Sequence, residues 1–262
     1  MAWNPANYPR GRGELRLDRN GSLATLTLDN PGARNAMSVG MMADFLAAVD
    51  ALTEAPPVAL LIHGAGSDGF CAGGDLQDVR GHLMAPGAGR EMAVAMGRAM
   101  ETLAGLDMVI VAAVEGAALG GGAELSQVAH WVIVGESARI GFVHARLGVS
   151  PGWGGGRCLI SRVGVQAATE ILLHARTHSG SDALRLGLAD QIVADGSAVA
   201  EATAWVDRVL ALPEASVRGA LRLLSASRSQ PDSLRAVEVE VFDQLWGGPA
   251  HKAALSTVKA GR

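Results

Sequence analysis

Short apolar runs that take turns with helical periods constrain this chain most. Residues 23–28, 58–62, 109–114 and 131–134 are each of strand length and rich in Val, Ile, Leu and Ala. Between them, Met41, Phe45, Val49 and Leu52 form one stripe at helical spacing, and Ser38 stands where a cap belongs. Residues 91–103 read as a second helix and residues 124–129 as a short third one. Asp29-Asn30-Pro31-Gly32 closes the first strand as a turn. Strands alternating with helices predict an α/β core with parallel pairing.

From about Gly156 the pattern changes. Residues 157–162, 165–174, 182–186, 198–212, 216–226 and 231–245 read as helices, interrupted by one short strand, Gln191–Val193. The expected layout is a mixed core over residues 1–195 and a helical region over residues 196–262, with a soft boundary near 195–197. A chain of 262 residues is long enough to bury a large core of this kind.

Two glycine-rich stretches each follow a strand: Gly69-Phe70-Cys71-Ala72-Gly73-Gly74-Asp75-Leu76, and Ala118-Leu119-Gly120-Gly121-Gly122-Ala123-Glu124-Leu125. Small residues let backbone approach a ligand closely and leave amide N–H groups uncovered. Brought together, two such loops would aim a pair of donors at one oxygen, the arrangement that stabilises an enolate or a tetrahedral oxyanion.

Other features point nowhere as sharply. Gly64-Ala65-Gly66-Ser67-Asp68-Gly69 matches a dinucleotide fingerprint in spacing, but more loop follows it rather than a helix. His174 and His178 are four apart, yet residues 177–180 look like a helix end and no acidic partner has ligand spacing, so surface histidines are expected. Cys71 and Cys158 have neither metal nor redox spacing, which suits packing and a reduced, cytoplasmic setting. With 22 basic against 26 acidic residues the net charge is −4, which does not suggest nucleic acid. No apolar run approaches bilayer length and the first residues lack a signal pattern, so a soluble chain is expected.

The segment Asn30-Pro31-Gly32-Ala33-Arg34-Asn35-Ala36-Met37, both glycine loops, and the stretch from Ala183 to Val193 together resemble the crotonase superfamily of enoyl-CoA hydratases, isomerases and acyl-CoA decarboxylases. The resemblance implies a spiral ββα core with a C-terminal helical trimerisation region, assembled as a homotrimer or a dimer of trimers. It implies an acyl-CoA thioester as partner, with no cofactor beyond the coenzyme A that the substrate carries. The oxyanion donors map to the backbone N–H groups of Ala72 and Gly121.

Hydratases of the superfamily use two glutamates. Glu124 corresponds to the first, whereas the position of the second is occupied by His144. Phe142-Val143-His144, Pro151-Gly152-Trp153-Gly154-Gly155 and Gly120-Gly121-Gly122-Ala123-Glu124 look especially like ethylmalonyl-CoA decarboxylases. Loss of CO2 from a malonyl-type thioester would leave an enolate for the two amides to hold and a carbon for His144 to protonate, with Glu124 orienting the ring.

The substrate-binding set expected is Ala72, Gly73, Gly74, Asp75 and Leu76 along the pantetheine, together with Gly120, Gly121 and Trp153. Arg34 is the candidate for the phosphates, and Lys252 and Lys259 for a neighbouring subunit's nucleotide. Three alternatives stay open: a hydratase or isomerase using Glu124, a hydrolase using Glu124 and His144 on water, and a non-catalytic acyl-CoA-binding protein.

Overall fold

The computed structural model describes residues 7–66, 69–228 and 232–257. Lys259, the expected helix start at residue 231 and the Ser67-Asp68 part of the fingerprint spacing lie outside them.

Each long apolar run becomes a strand of one six-stranded sheet. Its order is β1 (Glu14–Asn20), β2 (Leu23–Asp29), β3 (Ala59–Gly64), β5 (Val109–Val114), β7 (Trp131–Gly135) and β10 (Gln191–Val193). Only the β1–β2 pair is antiparallel. A second sheet of four short strands runs β4 (Gly69–Cys71), β6 (Ala117–Leu119), β8 (Arg139–Gly141) and β9 (His178–Ser179). Successive large-sheet strands β3, β5 and β7 are therefore each followed by a small-sheet strand, and the chain winds as a spiral of strand pairs.

Both faces of the large sheet are covered, so its inner strands are apolar throughout rather than alternating with polar residues. Leu60, Ile62, Ile110, Ala112 and Val114 point into the main core with Met41, Met42, Phe45 and Leu52 of α1 (Val39–Glu54) and Met92, Met96 and Leu103 of α3 (Ala88–Gly105). Their neighbours in sequence, Ala59, Leu61, Val109, Val111 and Ala113, face the other way. There they meet Ala198, Ala202 and Val206 of α7 (Ala198–Leu210) and Val217 and Leu221 of α8 (Glu214–Arg228). At about 1.5–3 kcal/mol for each fully buried large apolar side chain, these two layers dominate the folding free energy.

The expected elements are present, with shifted ends. Ser38 caps α1, its hydroxyl accepting from the Met41 N–H at 3.2 Å. The helix expected over 124–129 is α4 (Gly121–Ser126), which starts inside the glycine loop. The helices expected at 157–162 and 165–174 lie in one span, α5 (Gly155–His174), broken at Gly164, where φ is 76°. The expectation of surface histidines fails at His178, which is buried in β9, paired with β8 rather than ending a helix. Beyond the short α2 (Leu76–Asp78) and α6 (Gly180–Leu186), α9 (Asp232–Leu245) and α10 (Pro249–Thr257) complete the chain. α9 packs against α3 and α5, while α10 packs against the 3-10 turn Val143–Leu147. Among the described residues no helix is long and apolar enough to cross a membrane.

Candidate active site

The small sheet brings the two glycine loops together. β4 and β6 pair in parallel, Cys71 opposite Ala118, so the residues leaving their ends run side by side. Gly73 has φ +96°, and a Cβ there would lie 2.9 Å from Leu119 O and 3.3 Å from Gly121 N. A side chain at this point would wedge the loops apart.

Which amides remain free follows from the hydrogen bonds around them. Ala72 N–H donates to Arg34 O at 3.0 Å. Gly73 O accepts from Met37 N–H at 2.7 Å, and Asp75 N–H donates to Met37 O at 2.9 Å. The peptide N–H between those two contacts, that of Gly74, is turned away from Met37 and has no acceptor among the described residues. On the second loop, Gly120 N–H donates to Gly141 O at 2.9 Å, whereas Gly121 opens α4 and its N–H has no acceptor among the described residues. Gly74 and Gly121 thus each hold an open N–H, one on either loop. Ala72, expected as a donor, is already committed to Arg34.

Glu124, in the first turn of α4, is 1% exposed. Its Oε1 accepts from His144 Nε2 at 3.0 Å and from Gly152 N–H at 3.2 Å. Its Oε2 accepts from the N–H groups of Trp153 and Gly155, both at 2.9 Å. Four donors on two oxygens leave the carboxylate fixed and with little capacity to activate a water. Because Oε1 is the acceptor, Nε2 of His144 carries the hydrogen, and Nδ1 is the nitrogen left for exchange. That atom is buried and has no hydrogen-bond partner among the described residues.

These groups border a cavity of about 140 Å3. Ala72, Gly73, Gly74, Leu76, Gly120, Gly121, Glu124, His144 and Trp153 line it together with Met42, Met92, Phe242, Trp246 and His251. No lysine or arginine lines it among the described residues. Cys71 sits beneath the loop, fully buried, and burial pushes its thiol up to about 12, so it stays protonated and packs.

A model of the enoyl-CoA hydratase/isomerase family matches residues 18–251. The chain belongs to that family. It is 32% identical over 256 residues to an ethylmalonyl-CoA decarboxylase of Rattus norvegicus, a match covering 95% of this chain and 84% of that protein. To an ethylmalonyl-CoA decarboxylase of Danio rerio it is 34% identical over 259 residues, with the same coverage. The solved enoyl-CoA hydratase/isomerase from Mycobacterium paratuberculosis superposes with a TM-score of 0.85 at 24% identity, over 94% of this chain and 98% of that one, which shows the crotonase fold.

Within this hydratase/isomerase-family site, two residues of the expected binding set do not line the cavity. Asp75 does not line the cavity; its carboxylate caps α2 by accepting from the Gln77 N–H at 2.8 Å. Arg34 is exposed and outside the lining, and its carbonyl rather than its guanidinium meets the first loop. Sequence reasoning also missed Met42, Met92, Phe242, Trp246 and His251. Met42 and Met92 belong to ordinary core stripes, Phe242 and His251 sit on helices that carry no motif, and Trp246 lies in the turn between those helices. The Glu124–Trp153 link is equally hidden, because backbone donors leave no residue-type signal.

Proposed function

We propose that this site decarboxylates a 2-carboxyacyl-CoA thioester of the ethylmalonyl- or methylmalonyl-CoA type. Saturation of Glu124 by four donors is the observation that carries the reading. Hydration of an enoyl thioester needs a carboxylate with a free lone pair to activate water. Glu124, the one carboxylate lining this cavity among the described residues, has both oxygens engaged, and its partner in the pair is an imidazole. The names of the relatives, ethylmalonyl-CoA decarboxylases, support the same reaction.

In this reading the bond from the α-carbon to the carboxylate breaks, CO2 leaves, and its electron pair passes into the thioester as an enolate. The Gly74 and Gly121 N–H groups hold the developing oxyanion, each contributing about 3 kcal/mol by comparison with other oxyanion donors. Gly121 stands at the first turn of α4, whose dipole has the favourable sign. His144, held by Glu124 through Nε2, takes up a proton from solvent at Nδ1 and delivers it to the α-carbon, returning to the ring with hydrogen on Nε2 alone. The products are CO2 and the shortened acyl-CoA. The step as written uses the chain's own groups and the coenzyme A of the substrate, with exposed Arg34 beside the first loop as the contact for its phosphates. Assembly as a trimer or a dimer of trimers belongs to the same proposal; exposed Val165 and Leu173 on α5 give an apolar face to cover. Light scattering should return three or six times the monomer mass.

Incubation with ethylmalonyl-CoA should release CO2 and yield butyryl-CoA, while crotonyl-CoA should keep its enoyl absorbance. His144→Ala should lower kcat for decarboxylation by about 100-fold or more, the usual worth of a proton donor. Unchanged turnover in that variant would remove His144 from the reaction, and hydration of crotonyl-CoA by the wild type would overturn the assignment itself.

A further inference from the structure

We infer that His251 recognises the carboxylate on the substrate's α-carbon, as a neutral hydrogen-bond donor that sets specificity for 2-carboxyacyl thioesters. The inference rests on the decarboxylase reading above and adds to it the group that selects the substrate.

His251 belongs to the first turn of α10, is 2% exposed, and lines the same cavity as the glycine loops and His144. Its tautomer follows from one contact. Gly247 N–H donates to His251 Nδ1 at 2.9 Å, so Nδ1 is the acceptor and Nε2 carries the hydrogen. Nε2 itself has no acceptor among the described residues. The ring is held on two sides. It packs tilted against Trp246 with centroids 4.6 Å apart, and Trp246 is itself pinned by its indole N–H donating to Leu83 O at 2.6 Å. At the backbone, α10 lies so close to the turn after His144 that a Cβ on Gly148 would come within 2.7 Å of His251 N.

The charge pattern of the reaction makes a neutral donor the suitable one. Negative charge sits on the carboxylate in the ground state and moves to the thioester oxygen as CO2 leaves. A lysine or arginine at the carboxylate would stabilise the ground state and lose that interaction in the transition state, opposing the reaction. No such cation lines the cavity among the described residues. An imidazole N–H orients the carboxylate with less ground-state stabilisation. Desolvation by burial lowers the pKa of His251 below its usual value, which favours the uncharged ring. The ionisable groups bordering the same space are Glu124, whose oxygens are engaged, and His144.

Two thioethers test this without turnover. In 2-carboxybutyl-CoA a methylene replaces the thioester carbonyl, so CO2 cannot leave; butyl-CoA is its partner lacking the carboxylate. By calorimetry the wild type should bind the carboxylated compound about tenfold more tightly than butyl-CoA, the worth of one hydrogen bond to a charged group. His251→Asn keeps an acceptor for Gly247 N–H and removes the Nε2 donor; the preference should fall to about twofold or less, with butyl-CoA affinity unchanged. His251→Gln returns an N–H near the Nε2 position and should recover part of the preference. An unchanged preference in the Asn variant, or an equal loss of affinity for both compounds, overturns the inference. A wild type with no preference does so too. Because the readout is binding, it is separable from the reaction assay: a protein that keeps the preference but releases no CO2 refutes decarboxylation and leaves the role of His251 in carboxylate recognition standing.

Discussion

Glu124 does two things with one carboxylate. It fixes the imidazole of His144 by Nε2, and it ties down the loop 152–155 through three backbone N–H groups, setting Trp153 against the cavity. Glu124→Gln isolates the second role. Gln has one acceptor oxygen where four donors converge, so its NH2 would face two N–H groups with nothing to accept them. Destabilisation of about 2–5 kcal/mol is expected, read as a lower urea midpoint with unchanged slope. A midpoint equal to wild type would mean that the loop is held by other contacts. Gly121 shows the same crowding from the opposite side. A Cβ there would lie 2.4 Å from a Trp153 ring carbon, so the residue that frees an amide also makes room for the indole.

At the scale of elements, the active surface is assembled at the ends of short strands and not on the large sheet. β4, β6 and β8 have three residues each, yet the turns that follow them supply the two free amides and His144. The long helices support these ends from below. α1 is anchored by Ser38, whose hydroxyl accepts from Met41 N–H and donates to Arg10 O at 3.3 Å, while Asp78 accepts from Val39 N–H at 2.8 Å. Ser38→Ala should therefore cost about 1 kcal/mol, seen as a fall in Tm of about 2 °C without loss of the fold. A Tm equal to wild type would show that Asp78 alone is a sufficient cap. α9, α10 and the turn between them matter in a different way, since Phe242, Trp246 and His251 close the cavity from the far end of the sequence.

For the whole molecule, buried histidines give stability a pH dependence of definite sign. Burial lowers the pKa of both His178 and His251 from a starting value of 6.5. Below that value the unfolded chain binds more protons than the folded one, so their contribution is complete above about pH 6.5 and is lost as pH falls through the lowered folded values. His178→Phe removes one of the two groups, and the Tm difference between about pH 7.5 and about pH 5.5 should narrow. An identical difference in the variant would show that His178 does not carry the effect. The neighbours of that histidine resemble a helix end, which predicts a surface position; pairing of β9 with β8 buries it, and no local pattern announces a two-residue strand. By itself the sequence determined the strand and helix alternation and the two glycine loops, since apolar period and backbone freedom are properties of residue type; the Glu124–His144 pairing is implied only by the family resemblance, and packing supplies the contact. Only the tertiary structure decided that Gly74 rather than Ala72 holds the open N–H, that Asp75 and the Arg34 side chain stand outside the cavity, and that α10 brings His251 into it. Hydrogen-bond partners are chosen by whichever backbone arrives alongside, and that is settled when distant segments pack.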